Sequence, residues 1–161
     1  MAENTDDIQK VRDIIKGTRI AMLTHVDGDG HLVSKPMATQ EVEFDGTVRF
    51  IAERDSEQAQ ALQQRPEVNV AYSGSGSWVS VCGTARIVND EAKLKELWSS
   101  FTGSWLQGGP ENPNNILIEI DGHSAEYWDS PGNSKVTQVA NLIKSKVKGD
   151  TVDGENKVVD L

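Results

Sequence analysis

Residues 19–56 read RIAMLTHV (19–26), DGDG (27–30), HLVSKPMATQEVEF (31–44), DG (45–46) and TVRFIAERDS (47–56). Three apolar, β-branched segments are separated by two turns built from Asp and Gly. These residues tolerate the left-handed backbone angles that tight hairpins need. The stretch therefore predicts a meander of three antiparallel strands joined by short turns. Two features on it point to chemistry rather than architecture: Ser34-Lys35-Pro36-Met37 in the middle strand, and Asp55-Ser56 just past the third.

Upstream, Ile8, Val11, Ile14 and Ile15 fall at helical spacing over residues 5–16, with Asp6 and Asp7 at the start and Gly17 as the stop. Downstream, Ser56 is placed to cap a short helix ending at Pro66. Residues 68–72 alternate as a half-buried strand, 74–77 form a turn, and 78–88 are the longest strand, with Gly83 marking a bulge or barrel bend. Asn89 or Asp90 opens a helix carrying Leu94, Leu97, Trp98 and Phe101 on one stripe. Residues 102–115 read as a long loop with Trp105 in its middle. A final hairpin is expected around Asp121-Gly122, and Val136, Val139, Leu142, Ile143 and Val147 predict a last helix. Residues 1–148 thus form one domain, and 149–161 an acidic, flexible tail. The reading is mainly β (α+β): an antiparallel barrel of six to seven strands with flanking helices. Strands do not alternate with helices, which excludes a doubly wound nucleotide fold.

At 161 residues with 37% hydrophobic content, the chain has a thin core for its length, which points to a homodimer. A net charge of −9 argues against nucleic acid and anionic membrane, since phosphate surfaces need clustered Lys and Arg. One or two local cations would still suffice for a flavin or nucleotide phosphate. The lone Cys82 excludes an internal disulfide and reads as a small buried residue in a reducing cytosol. The opening residues have no secretory signal pattern, and no apolar run approaches the ~18 residues of a membrane span. A cytoplasmic location is expected.

The histidines His25, His31 and His123 lack metal-ligand spacing and read as turn or surface residues, so no metal is expected. Neither Gly28-Asp29-Gly30 nor Gly74-Ser75-Gly76 completes a dinucleotide fingerprint. The sharpest signal is Lys35 with Ser56. A lysine on an edge or bulged strand before Pro36, next to a serine at a helix start, makes a phosphate cradle. The plain alternative is a solvated lysine and an ordinary cap. Trp105 divides evenly between packing and stacking on a planar ligand.

At these residues the sequence resembles the pyridoxamine 5′-phosphate oxidase-like flavin-binding split barrels, in particular their general stress protein branch. The likeness rests on Ser34-Lys35-Pro36-Met37-Ala38-Thr39, on Val48-Arg49-Phe50-Ile51-Ala52 leading to Asp55-Ser56, and on the run from Val79 to Arg86. It continues in Leu97-Trp98, in Trp105 followed by Gly108-Gly109, and in the run from Ala125 to Ser130. The resemblance implies a homodimer holding FMN, or alternatively FAD, between subunits. It puts Lys35 and Ser56 on the flavin phosphate and the backbone of Met37, Ala38, Ile51 and Ala52 along the ring. Trp105 of the facing subunit would cover that ring, and Pro36, Thr39, Glu53 and Gln58 complete the cofactor set. The family usually has Arg at position 35 and Lys at position 58. Lys35 keeps the charge without the fork, and Gln58 removes a cation from the phosphate. The implied activity is FMN-dependent oxidation or reduction of an unnamed substrate. A flavin carrier or sensor without turnover is the alternative, and a deazaflavin ligand a third reading.

Overall fold

A computed structural model describes residues 2–40, 43–130 and 154–161 of the chain. Helix α1 (Ala2–Lys16) buries Val11 and Ile15 and stops where the Gly17 amide turns back to the Asp13 carbonyl. Strands β1 (Ile20–Val26) and β2 (Leu32–Ala38) form the first hairpin, with Leu23 opposite Lys35 and His25 opposite Val33. There follow β3 (Thr47–Glu53), α2 (Glu57–Gln64), β4 (Glu67–Ser73) and β5 (Ser77–Val88). Two short helices, α3 (Glu91–Leu97) and α4 (Ser100–Trp105), precede the 15-residue β6 (Asn115–Asp129) and the closing β7 (Glu155–Asp160). None of the described helices is long and apolar enough to cross a membrane.

All seven described strands join one antiparallel sheet in the order β2-β1-β4-β5-β6-β3, with β7 also paired to β6. The sheet curls so that its edge strands β2 and β3 approach one another without pairing, leaving a split barrel. Alternation decides its two faces. Ala21, Leu23, Phe50, Val70, Tyr72, Val81, Ile118, Ile120 and Tyr127 fill the interior, joined by Val11 from α1 and Leu62 from α2. A smaller cluster lies outside the sheet, where Leu94 and Leu97 of α3 cover Ile51 and Leu117. Glu119 also faces outward beside it. Arg86 donates to it at 2.5 Å and Arg49 at 3.4 Å, one cross-strand row that compensates a nearly buried carboxylate.

The barrel and its flanking helices agree with the sequence reading, but several connections do not. The expected three-strand meander ends after two strands, because β3 pairs with β6 rather than β2. Residues 39–46 are too many for a tight turn, and the inward Val48, Phe50 and Ala52 match the register of Ile120, Ile118 and Ile116. The Asp45-Gly46 turn (φ +100° at Gly46) only starts β3. The hairpin expected at Asp121-Gly122 is instead a bend inside the continuous β6. There the register with β5 shifts between Cys82 and Gly83. A Cβ at Gly83 would lie 2.5 Å from the Asp121 carbonyl oxygen, and one at Gly122 would lie 2.8 Å from that of Gly46. Glycine allows the backbones to close at this point.

The single helix predicted from Asp90 breaks at Trp98, because Ser99 turns its side chain to cap α4 by accepting from the Thr102 amide. Trp105 consequently ends a helix rather than sitting mid-loop. The flexible tail expected after position 149 is, over Glu155–Asp160, strand β7. Val159 of β7 fills the interior, and a row of hydrogen bonds to β6 offsets the entropy of ordering a polar segment. The predicted helix around Val136 to Val147 lies outside the described residues.

Candidate functional site

The β1–β2 hairpin begins the site. Asp27 accepts the amides of Asp29 and His31 at 2.9 Å each, which holds the turn. Asp27, Asp29 and His31 bring ligand atoms within 4.8 Å of one another at this tip, but Asp27 is already committed to the backbone. With the turn fixed, alternation sends Lys35 and Met37 to the inner face beside Leu23 and Ala21, while Ser34 and Pro36 face outward. Lys35 is half-buried and forms no ion pair among the described residues.

His25 lies on the same inner face and is 2% exposed, against the surface position its scattered spacing implied. Its place in the alternation Ala21, Leu23, His25 was the signal available in the sequence. Its Nδ1 has no hydrogen-bond partner. Burial holds the imidazole below its ordinary pKa, and the Lys35 ammonium acts in the same direction, opposed by Asp27 and Glu57. These interactions place His25 within electrostatic reach of both Lys35 and the first residue of α2.

Helix α2 is positioned by the segment that leads into β6, the strand paired with β3. Arg54 donates to the Pro113 carbonyl, and Asp55 and Asn114 exchange a reciprocal pair of hydrogen bonds at 3.2 and 3.0 Å. The loop after α4 thus clamps the corner between β3 and α2. Ser56 caps the helix by accepting from the Ala59 amide at 3.1 Å, as its placement predicts. Its own amide, however, donates to the Glu53 carbonyl at 3.1 Å. The donors left at this helix start are the Ser56 hydroxyl and the first amides, those of Glu57 and Gln58. Gln58 is 5% exposed and its Nε2 has no partner.

The remaining expected residues do not all gather at this end, since Ala38 and Thr39 lie beside Ile20 and Arg19, at the opposite end of the β1–β2 hairpin from His25. Met37, Ile51 and Ala52 are buried, Ile51 outward under α3 and the other two inward. Ala38, Thr39 and Glu53 are half-buried, and the Thr39 Oγ1 is buried without a partner. A cleft of about 830 Å³ between α1, the segment after β2 and the α3–α4 junction receives Ala38 and Thr39. Lys35, Ser56 and Gln58 are not among its described lining residues. Trp105 is 74% exposed on α4, packed edge-on to Phe101 with ring centroids 6.2 Å apart. Cys82, expected inside, is exposed on the outer face next to Asn69, because Val81 and Gly83 take the inward positions of β5.

Residues 6–153 match the family model described as pyridoxamine 5′-phosphate oxidase like. The chain belongs to that family. Protein bli-3 of Neurospora crassa is 28% identical to it over 156 residues, covering 88% of this chain and 74% of the fungal one. The fold matches that of the Jannaschia sp. CCS1 protein assigned to general stress protein 26, with a TM-score of 0.80 at 24% identity over 98% of this chain and 99% of that one. The general stress FMN/FAD binding protein of Xanthomonas citri is 30% identical with a TM-score of 0.63, covering 74% of this chain and 86% of its own.

The residues of this pyridoxamine 5′-phosphate oxidase-like chain can be tested against a flavin on their chemistry. A flavin mononucleotide presents a phosphate anion and a ring edged with acceptors and one donor. Lys35, which has no ion-pair partner among the described residues, the Ser56 hydroxyl, the Gln58 amide and the open first turn of α2 offer donors and positive potential. The donor set fits.

Proposed function

We propose that this protein binds a flavin, FMN in the first instance, at the split between β2 and β3 and uses it for electron or hydride transfer. The observation that carries the reading is the set of unsatisfied polar groups there. Among the described residues Lys35 lacks an ion-pair partner, and the His25 Nδ1 and Gln58 Nε2 atoms are buried without hydrogen-bond partners. Buried polar groups are paired in most native structures, so a cluster that is not calls for a ligand. The flavin-binding relative from Xanthomonas citri supports the same reading. Lys35 and the Ser56 hydroxyl hold the phosphate in this proposal, aided by the amides of Glu57 and Gln58. The backbone of Met37, Ala38, Ile51 and Ala52 runs along the ring, with Pro36, Glu53 and the backbone of Thr39 around it. The isoalloxazine supplies the redox chemistry, and the protein supplies position and electrostatics.

The cofactor cleft lies between two copies of the chain, with Trp105 of one covering the ring held by the other. Six large apolar side chains support pairing: Ile20, Met22, Leu32, Trp78, Trp128 and Val158 all project from the outer sheet face and are at least 39% exposed. The register aligns Trp78 with Trp128, and Met22 with Ala71. Such a surface on one chain is what a partner covers.

A carrier or sensor role is the second reading, favoured by Gln58 in place of a cation. Spectra decide between them. The purified protein should show flavin absorption and bleach when NADH or NADPH is added without air. A yellow protein that neither nucleotide reduces is a carrier or draws on another donor, and a protein that takes up no FMN refutes the proposal. Sedimentation should give twice the chain mass.

A further inference from the structure

The cleft beside α1 has a polar inventory that the flavin reading does not use. Three acidic side chains line it, and each is engaged. Asp13 accepts from Gln9 at 3.0 Å, Glu43 lies 3.6 Å from Arg12, and Glu96 lies 3.3 Å from Lys93. Gln9 is neutral, so Asp13 is the one lining carboxylate without a cationic partner among the described residues, against two such cations. Lys16 and Arg19 line it and form no ion pair among the described residues. Arg12 spends one terminal nitrogen on Glu43, while its Nε is buried with no acceptor among the described residues. The Thr39 hydroxyl opposite is buried and unpaired among the described residues as well.

A guanidinium only donates, so whatever satisfies the Arg12 Nε must accept. A buried donor without an acceptor is costly, and two of them lining one cleft where unpaired cations outnumber unpaired carboxylates by one call for an anion. The rest of the wall is apolar: Phe44 and Leu97 are buried, Trp98 is half-buried and Phe101 is exposed. A volume of about 830 Å³ exceeds what a simple inorganic ion would fill and lies within the range of small-molecule sites. We propose that this cleft is a second ligand site, separate from the flavin phosphate cradle, which takes a carboxylate carried on an aromatic body. Arg12 and Thr39 hold the carboxylate, Lys16 and Arg19 attract it, and Phe44, Leu97, Trp98 and Phe101 receive the ring.

The test is calorimetric titration of the full chain with 2-naphthoate and with its neutral counterpart 2-naphthylmethanol, each with and without saturating FMN. Naphthoate should bind one site per chain about tenfold tighter than the alcohol, the value of a charge-assisted hydrogen bond. Arg12→Gln should remove that advantage and leave the weak binding of the alcohol unchanged. The near-isosteric Thr39→Val should weaken naphthoate by about threefold, and Lys95→Gln, away from the cleft, should not. Urea midpoints confirm that each variant is folded. Equal affinity for the two probes, or indifference to both Arg12→Gln and Thr39→Val, overturns the inference. Displacement of naphthoate by FMN, with Lys35→Ala weakening both, also overturns it, since the cleft would then be the cofactor's own. Naphthoate binding by a protein that takes no FMN would uphold it while removing the flavin reading.

Discussion

Where α1 meets β6 and β7, the wholly buried Tyr127 places its hydroxyl 2.8 Å from Glu155 and 3.1 Å from Asp7. Lys157 lies 2.7 Å from Asp7, while Lys10 bridges Asp129 and Glu155 and sits over the Tyr127 ring. Each charge in that corner has an opposite beside it. Near the split between β2 and β3 the same barrel buries His25 and Gln58 and, among the described residues, leaves Nδ1 and Nε2 unpaired and Lys35 without an ion-pair partner. Both regions set polar groups against one apolar core. The first is complete, ties the chain end to the first helix and is structural. The second is incomplete among the described residues, and in our proposal the flavin completes it. Partnering, rather than polarity, separates scaffold from site.

The comparison is broken most forcefully at Tyr127. Tyr127→Ala should cost about 3–5 kcal/mol in urea unfolding, since it empties a packed position and strands two carboxylates. A loss below about 1 kcal/mol would mean that the corner is not the latch described. At the other end, Lys35→Ala should leave stability near wild type but weaken FMN by about ten- to a hundredfold in fluorescence titration, with riboflavin unaffected. The exposed Lys95→Ala is the control, and matching FMN affinities for the two variants would take Lys35 out of the site.

Acid separates the regions in a third way. The unfolded histidine takes its proton near pH 6.5, whereas buried His25 takes it only lower. The unfolded chain therefore binds the proton first, so stability is full above 6.5 and declines as the pH falls below it. Asp7 and Glu155 are lowered instead, Asp7 chiefly by its hydrogen bond with Lys157 and Glu155 by that with Lys10. Their contribution is complete above their ordinary values of 3.8 and 4.5 and is lost only as the pH falls below those values towards the folded ones. His25→Phe should flatten the first decline and leave the second, as read from urea midpoints between pH 7 and pH 3. An unchanged first decline would assign it to another group. The smallest effect is expected at Gln58. Gln58→Leu should change stability by no more than about 1 kcal/mol, or raise it, because it removes an unpaired amide. Gln58→Lys should tighten FMN more than riboflavin.

The sequence disclosed what depends on local pattern. The Asp27–Gly30 turn, the Ser56 cap, the alternation along β4 and β5 and the strain point at Gly83 all appear where neighbours in the chain decide them. It did not disclose which strands pair at long range. Nothing local to β3 says that it joins β6, and the Asp121-Gly122 dipeptide that reads as a turn serves as a bend because Gly83 lies against it. Capping by Ser99 overrode the stripe of Leu94, Leu97, Trp98 and Phe101 in the same way. Within the proposed site, Lys35 and Ser56 were legible from strand and cap chemistry. His25 was missed because scattered histidines ordinarily face solvent, and the Arg12–Thr39 cleft because it is assembled from segments far apart in the chain.

Titration of the flavin-free protein with FMN and riboflavin, followed by quenching of flavin fluorescence, tests the central claim most directly. The account predicts one FMN per chain, held more tightly than riboflavin, with Lys35→Ala abolishing the difference. FMN that fails to quench, or that binds no better than riboflavin to the unaltered protein, would contradict it.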